Sequence, residues 1–307
     1  MKRVFLGIFM VWALFVLGAC NSESVNEDVE SSERPGGFLW KVEDGETTVY
    51  LQGTVHAGTE DFYPFHETIE QAYEEADVVV PEIDITDLDL MAVQTLIVEL
   101  GLFQDGSKLE DHLPQEVYSK ISDTLDDLGL PLEMFESYQP WLLAITIQQL
   151  ILEKLDYIHG VDEYFLIRAN DDGKEIIELE SMESQFQIFA DMSLDLQIEF
   201  LEDSLSNIEE YEEEMIELFT YYKNGDIDGL LELLIEVEGL NESEEAQKFT
   251  EALNDKRNYE MAEKIIEFLQ EDSDKTYFVI VGSLHLIMEP HIVSILEAEG
   301  YEVEHIH

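Results

Sequence analysis

The chain has 307 residues, 45% of them hydrophobic, and its 71 Asp and Glu against 15 Lys and Arg give a formal net charge of -56. Nucleic acid is excluded as a natural partner, because phosphate binding needs a basic surface that so few cations cannot assemble. The acids are spread along the chain, as in a solvated coat suited to a salty or alkaline medium. A chain of this length can bury a sizeable core as one domain, or as one domain with a large insertion.

At the N-terminus, Lys2-Arg3 and an apolar stretch from Val4 to Leu17 lead into Leu17-Gly18-Ala19-Cys20. Residues 1–20 read as a secretory signal whose ending resembles the lipobox of bacterial lipoproteins. That resemblance implies a lipidated Cys20 at the start of the mature chain, and a protein anchored in the bilayer of the cell membrane on its extracytoplasmic side. Cys20 is the only cysteine, so no intramolecular disulfide is available and stability must come from the core. No later apolar run reaches the roughly 18 residues of a membrane span. Trp141 to Leu152 comes closest, interrupted by Gln148 and Gln149. Residues 21–37 are acidic and Ser-rich without apolar period, and end in Pro35-Gly36-Gly37; they read as a disordered linker to a domain over 38–307.

Phe38 to Val42 and Thr47 to Gln52, split by Glu43-Asp44-Gly45-Glu46, predict a β-hairpin that delivers Gly53-Thr54-Val55-His56. Phe65 to Glu75 has helical spacing, and Asp77 to Asp84 reads as a buried strand ending in carboxylates. Helical patterns follow at Leu113 to Leu128, Gln139 to Leu155, Val161 to Asp171, Ser193 to Tyr222, Ile227 to Val237 and Glu244 to Leu269, with a brief strand at Lys174 to Glu180. The end repeats the opening plan: a strand from Tyr277 to Val281, a second Gly-x-x-His at Gly282-Ser283-Leu284-His285, a helix from about Pro290 to Glu299 and a strand from Tyr301 to Ile306. Strands joined through a helix pair in parallel. The expected fold is α/β: a mixed, largely parallel sheet built from two strand-helix-strand units at the chain ends, both histidines at one edge. A mainly helical insertion of about 107–270 would form a lid.

Several motifs recur in one order: Leu39-Trp40-Lys41-Val42 with Gly53-Thr54-Val55-His56, Pro81-Glu82-Ile83-Asp84, Gln139-Pro140-Trp141, Gly160-Val161-Asp162, Glu178-Leu179-Glu180 with Gln185, Arg257-Asn258, and Val281-Gly282-Ser283-Leu284-His285-Leu286. On these the chain resembles the TraB/GumN family, which includes pheromone-shutdown proteins and Tiki metalloproteases. The resemblance implies metal-dependent cleavage of peptide bonds; it also allows sequestration of a secreted peptide without cleavage.

The residues support a compatible chemistry. His56, Glu82 and His285 each follow a strand end, and two imidazoles with one carboxylate can hold Zn²⁺, Mn²⁺ or Co²⁺ with a position open for water. Such water is acidified and attacks a carbonyl. Glu82 serves as ligand or base, Glu180 or Asp84 as general base, and Arg257 as a fixed positive charge for the oxyanion. Glu180 and Asp162 could equally cap helices or pair with Arg257 or Arg168. Gly53 and Gly282 are read as binding-loop glycines, giving unusual backbone angles or close ligand approach. His159 is a weaker candidate. After His285 the family usually has glycines in a His-Leu-x-Gly pattern, whereas this chain reads His285-Leu286-Ile287-Met288-Glu289-Pro290-His291; the bulkier Met288 and His291 narrow the site, or His291 joins it as a ligand. Substrate choice, peptide or other small ester, lies in the helical middle, and nothing in the pattern sets the oligomeric state.

Overall fold

The computed structural model describes residues 34–205, 207–238, 243–271 and 273–307. The signal segment, Cys20 and the linker up to residue 33 lie outside the described residues. The end of the linker is tied down: Gly36 N–H donates to Lys223 O at 2.7 Å, and Pro35 O accepts from His66 N–H at 2.9 Å.

Six strands form one mixed sheet: β1 (Phe38–Asp44), β2 (Thr47–Thr54), β3 (Val78–Pro81), β4 (Glu175–Ile176), β5 (Thr276–Gly282) and β6 (Val303–His305), in the order β4-β3-β5-β2-β1-β6. β2, β5, β3 and β4 run parallel, whereas β1 is antiparallel to both β2 and β6. The parallel core strands β2, β3 and β5 are buried nearly throughout, as expected where helices cover both faces of a sheet.

Alternation along β5 shows the layers. Phe278 meets Phe165 and Tyr73 at ring distances of 4.9 and 5.8 Å, from the helices Val161–Asp172 and Glu67–Glu75. Tyr277, pointing the other way by the pleat, stacks on Phe268 of the Lys256–Gln270 helix at 4.6 Å. The helical middle has its own aromatic core, where Trp141 packs on Phe186 and Phe189, and Phe189 on Phe200 and Phe249. Among the described residues no helix is long and apolar enough to cross a membrane.

The α/β class and the mixed, mostly parallel sheet stand, with local differences. The C-terminal strand does not pair with β5; it crosses to the far side of β1. The Lys174–Glu180 strand shortens to Glu175–Ile176, although Ile177, Leu179 and Glu180 N–H groups still donate to Val79, Pro81 and Glu82 carbonyls. The single Ser193–Tyr222 helix is two, Leu194–Asp203 and Ile208–Lys223, because the Asn207 side chain accepts from Glu209 N–H and starts the second. Sequence reading also missed short helices at Leu90–Leu96, Leu109–His112, Met182–Ala190 and Leu284–Ile287.

Candidate functional site

Register alone brings the candidate residues together. β2 and β5 pair Thr54 with Gly282, and β3 pairs Pro81 with Ile280 of β5, so the three chains leave the sheet side by side at its carboxyl edge. His56, Glu82 and His285 follow within three residues of those ends, where open α/β sheets build their sites. All three are buried.

Each imidazole is held from behind. His56 Nδ1 lies 2.6 Å from Asp162 Oδ2, while Thr54 Oγ1–H donates to Asp162 Oδ1 at 2.8 Å. His285 Nδ1 faces Asn258 Oδ1, and Asn258 Nδ2–H donates to Pro290 O at 2.7 Å. Both Nε2 atoms are buried and, among the described residues, have no hydrogen-bond partner, a costly state unless something else engages them. The two rings border one space. A Cβ added at Gly282 would lie 3.7 Å from His56 Nε2, 3.7 Å from His285 Cδ2 and 3.4 Å from Glu82 Oε1.

Glu82 closes the group. Its Oε1 accepts from Gly282 N–H at 2.6 Å and lies 3.8 Å from His285 Nε2; its Oε2 accepts from Arg257 Nη2–H at 2.7 Å and Gln185 Nε2–H at 3.3 Å. Arg257 also donates through Nε to Glu180 Oε2 at 2.9 Å, pairs through Nη2 with Glu180 Oε1, and gives Nη1–H to Leu253 O. Burial opposes the charge on Arg257, but Glu180 and then Glu82 outweigh it and raise its pKa. Arg257 follows a π-helical turn at Glu251–Asp255, a distortion frequent at functional sites.

The imidazoles are electrostatically unequal. Burial works against a charged His56, yet Asp162 outweighs it and raises its pKa, with Glu82 helping and Arg257 opposing. Burial, followed by Arg257 and His56, pushes His285 well below the usual histidine value against an opposing Glu180.

Thus His56, Glu82, His285, Arg257, Glu180 and Asp162 are brought together. Asp84 is not: its Oδ1 accepts from Thr86 in the exposed turn beyond β3. Gly282 faces that space, whereas Gly53 makes room for Ser283, whose Oγ would be 3.1 Å from a Cβ there; neither has positive φ. His291 caps the Ile292–Ala298 helix by accepting from Ser294 N–H at 2.9 Å. His159 supplies backbone: its N–H donates to Gly58 O at 3.1 Å. Glu180 is the counterion of Arg257, and Arg168 pairs with Glu70 instead. Sequence reading assigned no task to Gln185, Asn258 or Thr54; all three stood in recognised motifs, but nothing local names their distant partners.

A divalent ion fits this donor set in part. Two orphaned imidazole nitrogens are suitable ligands, while the nearest carboxylate, Glu82, is already engaged on both oxygens. Among the described residues, no group of three or more His, Cys, Asp or Glu is arranged so as to hold a metal ion.

Fold and site together define an α/β protein that assembles a buried histidine and carboxylate centre at the carboxyl edge of a mixed sheet. The chain belongs to the TraB/PrgY/gumN family, whose sequence model matches residues 38–305. It is similar to metalloprotease TIKI1 of Danio rerio, 24% identical over 93% of this chain and 65% of that protein. Metalloprotease TIKI1 of Homo sapiens is 23% identical over 87% of this chain and 61% of its own length. YbaP of Escherichia coli is 23% identical over 57% of this chain and 65% of its own. The chain therefore spans less than two thirds of the length of these relatives. No solved structure is significantly similar to it.

Proposed function

We propose that this chain is a metal-dependent hydrolase of peptide bonds, lipid-anchored through Cys20 on the extracytoplasmic face of the cell membrane. The observation that carries the reading is the pair of buried Nε2 atoms, unpartnered among the described residues, on two rings that border one space beside Gly282 together with Glu82 Oε1. Similarity to proteins named metalloproteases supports the reaction class.

His56 and His285 would hold the ion, with Glu82 Oε1 as a third ligand or as the base beside it. A bound Zn²⁺, Mn²⁺ or Co²⁺ supplies water acidified toward neutrality and polarises the carbonyl under attack. The chain's own residues orient and exclude. Asp162 and Asn258 aim the imidazoles, and burial keeps bulk water away. Gly282 N–H and Arg257 fix Glu82, leaving Oε1 on the histidine side. With Glu180 and Glu82 both on its guanidinium, Arg257 acts here as the clamp that shapes the carboxylates.

The test is metal content by elemental analysis together with cleavage of peptides supplied with Mn²⁺, Co²⁺ or Zn²⁺. Wild type should take up metal and cleave, and His56→Ala and His285→Ala should each lose both. Variants that retain wild-type metal content would remove the shared site.

A second reading, capture of a secreted peptide without cleavage, is favoured by the prior engagement of Glu82 on both oxygens. Stable association with a peptide of unchanged mass in the presence of metal would support it. An esterase-type hydrolase would use the same residues and differ in cleaving esters instead of peptides.

A further inference from the structure

The backing groups behind the two imidazoles differ in one respect that matters: one is a carboxylate, the other an amide. We propose that Asp162 and Asn258 are positioning residues that lock both imidazoles in the same tautomer, with Nδ1 protonated and Nε2 presenting a lone pair, and that only His56 is backed by charge. The inference rests on the proposed two-histidine centre for its purpose, but its geometry stands apart from that reading.

The tautomers follow from what each partner can do. Asp162 as a carboxylate only accepts, and its Oδ1 is already taken by Thr54 Oγ1–H. Oδ2 therefore receives a proton from His56 Nδ1. Asn258 is oriented by its other end: Pro290 O only accepts, so the atom facing it is Nδ2, and the amide oxygen is left for His285. His285 Nδ1 must then carry hydrogen. Both Nε2 atoms are consequently acceptors, consistent with their burial and the absence of a donor to either among the described residues.

The choice of amide at 258 is constrained from two sides. A carboxylate there would set an oxygen against Pro290 O. It would also add a third anion next to Arg257, the preceding residue, which already serves Glu82 and Glu180. At 162 the reverse holds, since Thr54 offers a hydroxyl proton for a carboxylate oxygen to accept. A carboxylate behind an imidazole raises its basicity as a ligand, whereas an amide fixes orientation with little added charge. His56 is accordingly the anchoring donor of the pair and His285 the more readily displaced one.

The test uses the metal-free full chain with ¹⁵N-labelled histidine, observed by two-bond ¹⁵N–¹H correlation at a pH where both imidazoles are neutral. Both rings should appear as Nδ1–H tautomers, with His56 carrying the further-downfield Nδ1 proton. Asp162→Asn should keep the His56 tautomer, since the new amide can donate to Thr54 Oγ1 and accept from the ring, but should move that proton upfield. Asn258→Ala should release His285 toward the Nε2–H tautomer and leave His56 unchanged. An Nε2–H ring at either site in wild type overturns the inference without any variant, as does an unmoved His56 proton in Asp162→Asn. Titration with Mn²⁺ or Co²⁺ then tests the metal reading separately. If wild type binds, Asp162→Asn should weaken affinity roughly 10- to 100-fold; if it does not, the metal reading fails while the tautomer result stands.

Discussion

At the scale of single residues, the site is defined as much by what is left out as by what is present. Gly282 contributes no side chain at the point where two imidazoles and a carboxylate meet, and a methyl there would find only ordinary van der Waals contacts of 3.4 to 3.7 Å. Gly282→Ala is therefore expected to fold with near-normal thermal stability while losing ligand binding, read by calorimetric metal titration. Glu163, next to Asp162, shows a separate cost. Burial and then the Asp162 charge raise its pKa from 4.5 to about 6, so the folded state binds this proton more tightly than the unfolded state does. Its contribution is most favourable below pH 4.5 and is lost as pH rises through about 6. Glu163→Gln should thus stabilise the protein by up to about 2 kcal/mol at pH 7.5, at 1.36 kcal/mol per unit. The gain in urea midpoint should vanish below about pH 4.5, the ordinary glutamate range.

At the scale of elements, the decisive packing is between loops and not within the sheet. Val161 N–H donates to Val55 O at 2.9 Å, and a Cβ at Gly160 would fall 2.6 Å from His56 O. Gly160→Ala must push the His56 loop away and should cost roughly 1–3 kcal/mol in denaturant unfolding. Arg257 ties the end of β3 and the segment after β4 to the Lys256–Gln270 helix. Arg257→Met leaves two buried carboxylates facing each other and should cost about 3–5 kcal/mol, with part recovered by adding Glu180→Gln. The sheet and its histidines were legible because strand periodicity and the Gly-x-x-His turns are local patterns. Glu82 was legible for the same reason, lying one residue past a four-residue apolar strand. The roles of Asn258 and Asp162 were not, since each is set by a partner 27 or 106 residues away. The split of the Ser193 to Tyr222 helix was hidden because the apolar period runs on across the break. Asn207 ends the register by a side-chain bond that spacing does not report. β6 was misplaced because its sequence, like any edge strand, names no neighbour.

At the scale of the whole molecule, the topology makes β5 the keystone of the sheet. β2 and β3 do not pair with each other; each pairs with β5, which arrives some 200 residues after β3, and Gly282 N–H meets Glu82 across a separation of 200 residues. A chain stopped at Asp274 should show no cooperative unfolding transition in differential scanning calorimetry, although it keeps most of the helices. Such distant pairing is slow to form, because loop closure precedes the contacts that reward it. The ribosome makes His56 and Glu82 well before β5, so a chain that still lacks β5 holds the ingredients of the centre but no frame to align them. The arrangement acts as a timer: the residues of this edge can be brought into register only once β5 has been made.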